Sequence, residues 1–266
     1  LEGALDAPNG LILMTGPTGC GKTISLYSCL QRLNAPTVNI CTVEDPVEMP
    51  ISGVQHLQVN EKAGLSFPVA LRAFLRQDPD VIMVGEIRDD LTATISIQAA
   101  QTGHLVLSTL HTNDAAQALD RIIDVFPSER RDQIQIMLAG ALQGVISQRL
   151  LPAIGGGRVA SYEVMVANEA IRNLVREGKS RQMRNMIATG AAEGMQTIEM
   201  DLARLVAAGL ISMETATESS QYPREIQAQL ATARAQLQAQ ATMSTGQSGS
   251  SGSGSFVSEQ PAGVSA

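Results

Sequence analysis

The feature that most constrains the fold of this chain is a glycine-rich loop between an apolar run and a helical pattern. Residues 16–23 read GPTGCGKT and match the pattern G-x-x-x-x-G-K-[ST] at every position. Residues 11–15 form a short apolar run before the loop, and residues 22–33 carry apolar side chains at helical spacing after it. A strand, a glycine-rich turn and a helix in this order predict a phosphate-binding loop.

The residue types of this loop suit a phosphate ligand. Glycines let the backbone curl so that successive N–H groups point toward phosphate oxygens, and the dipole of the following helix adds positive potential there. We expect Lys22 to reach the β- and γ-phosphates of ATP, Thr23 to ligate Mg²⁺ through its hydroxyl, and the Cys20 side chain to point away from the phosphates. The residues expected to bind the nucleotide are Gly16, Pro17, Thr18, Gly19, Cys20, Gly21, Lys22 and Thr23.

Short apolar runs alternate with helical patterns over the first half of the chain. The apolar runs, which predict strands, lie at 38–43, 81–84 and 105–110. Helical spacing separates them at 67–77 and 91–101. Strands that alternate with helices predict an α/β fold with a mostly parallel sheet and helices on both faces. We expect this core to cover residues 1–150.

The pattern changes after about residue 113. We expect residues 151–220 to form a small helical subdomain, residues 221–242 a helical extension rich in Ala, Gln and Leu, and residues 243–266 a disordered Ser/Gly-rich tail. The predicted elements of this half are helices at 114–125 and 128–142, a strand pair at 144–150 and 158–165, and helices at 168–177, 181–189, 197–208 and 223–242.

Carboxylates follow two of the predicted strands. Glu86 comes after the apolar run 81–84, and we expect it to act as the general base that orients and polarises an attacking water. Glu44 directly follows the run at 38–43, at the strand edge where ligands bind in open α/β sheets, and is a candidate for holding Mg²⁺ or its waters. Asp45 and Glu48 either take part in this site or serve structure, by shaping the turn or pairing with arginines.

The histidines differ in their predicted positions. His104 and His111 flank the strand LVLSTL, so they lie near opposite ends of it and are not expected to share a metal ion. His111 is expected at the nucleotide edge, where a neutral imidazole can sense a γ-phosphate. His104 is as well explained by a structural role, and His56, in an alternating stretch, is expected at the surface with no role.

Three arginines close in sequence to Glu86 are further candidates for contacts at the site. Arg88 is expected to brace the loop by pairing with Asp45 or Asp89. Arg72 and Arg76 are four residues apart and are expected on one helix face, which is either solvated, paired across a subunit contact or turned toward a phosphate.

Charge and composition disfavour some classes of protein. The formal net charge is −7, aromatic residues make up 3% and Trp is absent, which argues against a protein that stacks bases or presents a dense basic face to nucleic acid. No apolar run approaches the roughly 20 residues that a membrane span needs. Cys20, Cys29 and Cys41 lack metal-site spacing and are expected to be buried or loop thiols in a reducing cytoplasm.

Four blocks in order resemble the bacterial secretion ATPase superfamily, the motors of type II secretion and of type IV pilus assembly and retraction. GPTGCGKT resembles its phosphate loop, TVEDPVE its aspartate box, LRQDPDVIMVGEIRDDLTA its Walker B block and AAQTGHLVLSTLHTNDA its histidine box. The resemblance covers about residues 8–217. It implies a C-terminal, RecA-like P-loop NTPase core that hydrolyses ATP with Mg²⁺.

The same resemblance implies partners, a location and residue roles. Such motors are homohexamers at the cytoplasmic face of the inner membrane, where they act on a membrane platform protein. Glu86 would be the catalytic glutamate, Glu44 a magnesium-associated carboxylate and His111 a γ-phosphate sensor. We also expect that an N-terminal domain belonging to the motor is missing from this sequence, and that arginines from that side complete the site.

The chain departs from the family pattern in ways that leave the direction of the motor open. The paired C-x-x-C zinc motif of many extension motors is absent, and QRLL leads directly to GGGRVASYEVM, which is more like the retraction motors. The blocks LSFPVALRAFLRQDPDVIMVGEIRD and QTGHLVLSTLHTNDA are more like the assembly motors. We predict an assembly motor, with retraction, a DNA-translocating or conjugation ATPase, and a nucleotide-binding subunit without turnover as alternatives.

Overall fold

One seven-stranded sheet organises the chain. The structure, a computed structural model, describes the backbone of residues 2–247 and the side chains of residues 3–239. The sheet order is β3-β2-β4-β5-β1-β6-β7, and every neighbouring pair is parallel except β6 with β7. Its strands are Gly10–Thr15 (β1), Ile40–Glu44 (β2), Val54–Gln58 (β3), Val81–Val84 (β4), Leu105–Leu110 (β5), Leu142–Pro152 (β6) and Arg158–Val166 (β7).

Helices cover both faces of the sheet, and further helices follow the last strand in the chain. They are Glu2–Leu5 (α1), Lys22–Leu33 (α2), Phe67–Phe74 (α3), Asp90–Gln101 (α4), Ala115–Asp124 (α5), Ser128–Ala141 (α6), Glu169–Arg176 (α7), Ser180–Thr189 (α8), Ile198–Ala207 (α9), Met213–Glu218 (α10) and Pro223–Gln247 (α11). Two 3₁₀ turns lie at Glu61–Ala63 and Ala191–Glu193.

The central strand β1 shows why this sequence needs two helical layers. All six of its residues are buried, and successive side chains point to opposite faces of a sheet. Leu11 and Leu13 belong to the core on one face, whereas Ile12 and Met14 belong to the core on the other. The predicted α/β class with a mostly parallel sheet is therefore confirmed.

Aspartates fix where two helices begin just beyond the site loops. The Asp89 carboxylate accepts the N–H of Thr92 at 2.8 Å and starts α4. The Asp114 carboxylate accepts the N–H of Gln117 at 2.8 Å and starts α5. N-caps of this kind satisfy helix N–H groups that otherwise lack partners. The loops after β4 and β5 are thus held at both ends.

The predicted elements are present, but the structure adds α1, β3 and α10, ends α3 at Phe74 instead of 77, and moves the expected domain boundary. Edge strand β3 was not predicted, because its residues VQHLQ mix polar and apolar side chains and are only partly buried. The expected boundary at residue 150 falls inside β6, and β7 is the seventh strand of the same sheet. The division into a core and a helical subdomain therefore stays a prediction, with its boundary to be placed after β7.

The C-terminal helices share a small core of their own. Leu151 of β6 packs there with buried residues of α9, α10 and α11, among them Leu202 and Ile226. Helix α11 runs to Gln247 and therefore includes residues 243–247, which were predicted to begin a disordered tail. The remainder of that predicted tail, 248–266, lies outside the described residues. None of the helices in the described part of the chain is long and apolar enough to cross a membrane.

A buried carboxyl group on β7 predicts a pH dependence of stability. Glu163 is 4% exposed, and its carboxylate accepts the N–H of Ala115 at 2.8 Å and the Ser147 hydroxyl at 3.3 Å. Burial raises the pKa of Glu163 from 4.5 to about 7. The folded state therefore holds this proton more tightly than the unfolded chain, so this stabilisation is lost as pH rises from about 4.5 to about 7.

Glu163→Gln should flatten this dependence, because glutamine retains an acceptor for Ala115 and does not titrate. Over that window the wild-type protein should lose up to about 3 kcal/mol through this group, and the variant should not. Urea unfolding at about pH 5 and about pH 8 measures the difference. Glu169→Gln, at a mostly exposed side chain, is the matched control. Equal pH dependence in wild type and Glu163→Gln would contradict the prediction.

Candidate active site

The carboxyl ends of β1, β2, β4 and β5 surround one cavity of about 390 Å³. A volume of this size suits a small-molecule ligand. The phosphate loop after β1 forms one wall, and the segments after β2, β4 and β5 form the others. The predicted site residues that line it are Thr18, Gly19, Gly21, Lys22, Thr23, Glu44, Glu86 and His111.

The phosphate loop has backbone angles that favour glycine. Gly16, Gly19 and Gly21 have φ values of +148°, +78° and +90°. A Cβ built on Gly16 would lie 2.2 Å from the Gln148 carbonyl oxygen and 2.7 Å from Cys20 Sγ, so no side chain fits there. Cys20 is 3% exposed and does not line the cavity, in agreement with the expectation that it points away from the phosphates.

Gln148 of β6 hydrogen-bonds to the backbone of this loop. This residue was not identified from the sequence. Its side-chain amide donates to the Cys20 carbonyl at 2.6 Å, and its amide oxygen accepts the Ser25 hydroxyl at 2.7 Å. The residue therefore joins the loop, helix α2 and strand β6. No local pattern marks it, because the contact arises from the pairing of β6 beside β1.

Gln148→Leu should weaken both the fold and the phosphate loop. It removes two hydrogen bonds in a mostly buried setting, and leaving such groups unpaired costs about 1–3 kcal/mol each. We expect a lower midpoint of urea unfolding and weaker nucleotide binding. Gln55→Leu, at an exposed glutamine on β3 that bonds Asn39, should change neither. Nucleotide affinity equal to wild type in Gln148→Leu would show that the loop does not depend on this brace.

The ammonium group of Lys22 lies at the mouth of the loop. It donates to the carbonyl oxygens of Gly16 at 2.6 Å and Pro17 at 3.1 Å, and lies 3.4 Å from His111 Nδ1. Burial lowers the pKa of Lys22, while the nearby Cys20 and Glu86 act in the opposite direction. A buried cation attracts an anionic ligand strongly, because its charge is less screened there than in water.

His111 connects Lys22 to Glu86. Its Nε2 lies 3.4 Å from Glu86 Oε1, on the opposite side of the ring from Lys22. A neutral imidazole with its proton on Nε2 satisfies both contacts, since Nδ1 then accepts from the ammonium group. The backbone of the next residue, Thr112, bonds to the Thr15 hydroxyl at the end of β1. His111 is thereby tied to the strand that leads into the phosphate loop.

Glu86 is held at the turn after β4. The Thr109 hydroxyl donates to the Gly85 carbonyl at 2.6 Å, and the Gly85 N–H donates to the Val43 carbonyl at 2.8 Å. Arg88 donates to Glu86 Oε2 at 2.7 Å. The predicted pairing of Arg88 with Asp45 or Asp89 is therefore wrong: Arg88 instead pairs with Glu86, while the Asp89 carboxylate caps α4.

Glu44 lies at the cavity but is surrounded by donors. Tyr27 donates to Glu44 Oε2 at 2.5 Å, and Thr42 donates to Oε1 at 2.6 Å. His56 Nδ1 lies 2.8 Å from the same Oε1. The expectation that His56 is a surface residue without a role is wrong, because the register of β2 and β3 pairs His56 with Thr42 and buries its ring.

Glu48 belongs to the site, which the sequence had left open. The Thr23 hydroxyl donates to Glu48 Oε1 at 3.2 Å. The Tyr27 hydroxyl accepts the N–H groups of Glu48 at 3.3 Å and Met49 at 3.4 Å, which holds this segment beside the loop. Burial, followed by the hydrogen bond to Glu44, raises the pKa of Tyr27 to about 12. Asp45 also lines the cavity.

The remaining polar residues singled out in the sequence lie elsewhere. His104 is at the opposite end of β5 from His111 and contacts the Ala99 carbonyl, which supports the structural reading. Helix α3 ends at Phe74, so Arg72 and Arg76 do not share a helix face as predicted. Both are exposed, and neither lines the cavity.

The side-chain oxygens in this cavity suit a nucleotide that is bound together with Mg²⁺. Among the described residues, no group of three or more His, Cys, Asp or Glu side chains could hold a metal by itself. Mg²⁺ is usually bound through one or two protein oxygens together with phosphates and water. The Thr23 hydroxyl and the Glu48 carboxylate offer such oxygens beside the loop, and Glu44 and Glu86 offer acceptors for water.

Comparisons with known proteins agree over most of the chain. The family described as Type II/IV secretion system protein matches residues 1–230. PilT of Pseudomonas aeruginosa, named a type IV pilus retractation ATPase, is 49% identical over 223 residues, which are 82% of this chain and 64% of that protein. The type II secretion system protein HxcR of the same organism is 42% identical over 238 residues, 80% of this chain and 49% of that protein. This chain thus spans about half to two thirds of the length of these relatives.

An assembly motor matches a shorter part at higher identity. The type IV pilus assembly ATPase PilB of Acinetobacter baylyi is 55% identical over 147 residues, which are 55% of this chain and 24% of that protein.

Solved structures agree on the fold. The pilus retraction motor PilT with bound ADP matches with a TM-score of 0.75 at 44% identity, over 84% of this chain and 65% of that one. The Legionella pneumophila ATPase DotB matches with a TM-score of 0.71 at 29% identity, over 82% of this chain and 61% of that one. The expected RecA-like architecture is thereby confirmed. This chain belongs to the type II/IV secretion system protein family.

Proposed function

We propose that this chain binds ATP with Mg²⁺ in the cavity at the carboxyl edge of the sheet and hydrolyses it. The observation that carries the proposal is the row of Lys22, His111 and Glu86, in which His111 contacts the other two at 3.4 Å. Lys22 and the loop N–H groups bind the β- and γ-phosphates. Glu86 accepts the proton of the attacking water, and His111 senses the γ-phosphate beside it.

Mg²⁺ would neutralise charge that develops on the phosphates. Thr23 would hold it through the hydroxyl that now bonds Glu48, and Glu48 and Glu44 would accept hydrogen bonds from its water ligands. Thr23, Glu44 and Glu48 line the same cavity as Lys22, which supports this assignment.

We further propose that hydrolysis drives a homohexameric motor of a type IV pilus or type II secretion machine. The names of PilT, HxcR and PilB support this class of machine. The motor would act at the cytoplasmic face of the inner membrane on a platform protein, and no nucleic acid would take part. A further N-terminal domain would complete the motor, and the greater length of the relatives, of which this chain spans 64% and 49%, supports additional chain.

Assembly is the proposed direction, because the identity to PilB, 55% over 147 residues, is higher than the 49% identity to PilT. Retraction is the second candidate, and two observations favour it. The identity to PilT extends over 223 residues, and β6 joins β7 through the short turn 153–157 with no zinc motif.

Steady-state ATP hydrolysis by the protein tests this proposal. We expect turnover that requires Mg²⁺ and does not respond to added DNA. Stimulation by DNA would favour a translocating ATPase instead. ATP binding without turnover would indicate a nucleotide-gated structural subunit.

A further inference from the structure

The buried surroundings of Glu44 contain a histidine whose tautomer is determined by the backbone. The Ile51 N–H donates to His56 Nε2 at 3.0 Å, so this nitrogen is an acceptor and carries no proton. The proton of the neutral ring therefore lies on Nδ1. Nδ1 faces Glu44 Oε1 at 2.8 Å and the Thr42 hydroxyl oxygen at 2.9 Å.

The two oxygens of Glu44 consequently differ. Oε1 accepts from both Thr42 and His56, which fills its lone pairs. Among the residues that the structure describes, Tyr27 alone donates to Oε2, which leaves this oxygen one lone pair. The Tyr27 and His56 rings meet edge to face, with centroids 6.1 Å apart, so packing also restrains both donors.

From this geometry we propose that His56 and Tyr27 are positioning residues that orient Glu44 for water-mediated contact with nucleotide-bound Mg²⁺. This inference rests on the proposed function. A carboxylate with one free lone pair, restrained by three donors, is poorly suited to enclose a metal directly and well suited to accept one hydrogen bond from a metal-bound water. Edge strand β3 then contributes to the site, because its pairing with β2 places His56 beside Thr42.

The test measures how strongly Mg²⁺ strengthens ADP binding, by calorimetry on the full chain with Mg²⁺ and with EDTA. The coupling is the ratio of the two ADP affinities. His56→Leu removes both ring nitrogens, whereas His56→Gln retains an amide donor for Glu44 and an acceptor for Ile51. Tyr27→Phe removes the hydroxyl that donates to Oε2 and that also accepts from the N–H groups of Glu48 and Met49. His104→Leu replaces a histidine at the far edge of the sheet and is the matched control.

We expect His56→Leu and Tyr27→Phe each to reduce the coupling about tenfold, the effect of losing one hydrogen bond to a charged group. ADP affinity in EDTA should stay near that of wild type, and His56→Gln and His104→Leu should retain the wild-type coupling. In His56→Leu and Tyr27→Phe, the Mg²⁺ concentration for half-maximal ATP hydrolysis should rise by a factor similar to the loss of coupling.

A different pattern overturns the inference. If His56→Leu and Tyr27→Phe weaken ADP binding equally with and without Mg²⁺, their role is structural. Should His56→Leu fail to fold in thermal unfolding, an unchanged coupling in Tyr27→Phe still refutes the proposal. If the wild-type protein shows neither coupling nor Mg²⁺-dependent hydrolysis, the proposed function itself fails, and that result is visible before any variant is made.

Discussion

Lys22→Ala should abolish ATP hydrolysis and weaken ATP binding by roughly a hundredfold, because hydrogen bonds to charged groups contribute about 1.5–3 kcal/mol each. Lys22 is a buried cation that lines the cavity, and its ammonium group bonds to the carbonyl oxygen of Gly16 in the phosphate loop. Alanine leaves no positive charge to meet the phosphates. Equilibrium binding of a fluorescent ATP analogue and steady-state phosphate release measure the two effects.

Lys62→Ala provides the matched control, since Lys62 is an exposed lysine in a 3₁₀ turn away from the cavity. It should leave both binding and hydrolysis at wild-type values. Hydrolysis that survives in Lys22→Ala would mean that the nucleotide is bound elsewhere on the molecule. Thermal unfolding of both variants separates loss of the charge from loss of the fold, because Lys22 also bonds the carbonyl groups of Gly16 and Pro17.

Glu86→Gln should retain ATP and lose turnover. A positioned general base contributes roughly 10²–10⁴-fold in rate, and glutamine cannot accept the proton of the attacking water. The amide oxygen can replace only one of the two carboxylate oxygens that Arg88 and His111 contact. The turn itself should persist, because the Gly85 backbone is held by Thr109 and Val43. Rapid-quench measurement of the first turnover, beside ATP binding at equilibrium, resolves chemistry from binding.

The control for Glu86→Gln is Glu61→Gln, at an exposed glutamate of the same 3₁₀ turn as Lys62. Unchanged turnover in Glu86→Gln would assign water activation to another group. A parallel loss of ATP affinity and turnover would instead make Glu86 a binding residue.

Several errors of the sequence-based interpretation have one origin. His56, Tyr27 and Gln148 act on the site from β3, α2 and β6, and each contact joins residues far apart in the chain. Periodicity reports which face of an element is apolar and says nothing about which element lies beside it. The pairing expected for Arg88 failed for a related reason: Asp89 is used to cap a helix, and Glu86 is the nearer carboxylate.

The sequence alone determined the phosphate loop, the α/β alternation and the placement of Glu44, Glu86 and His111 at one edge. Loop chemistry is local, and the carboxyl ends of parallel strands meet on the same side of a sheet. Only the tertiary structure decided that Glu48 bonds Thr23, that His111 connects Lys22 to Glu86, and that Glu44 is enclosed by Tyr27, Thr42 and His56. Strand order and register create these contacts, and both result from packing the whole sheet between its two helical layers.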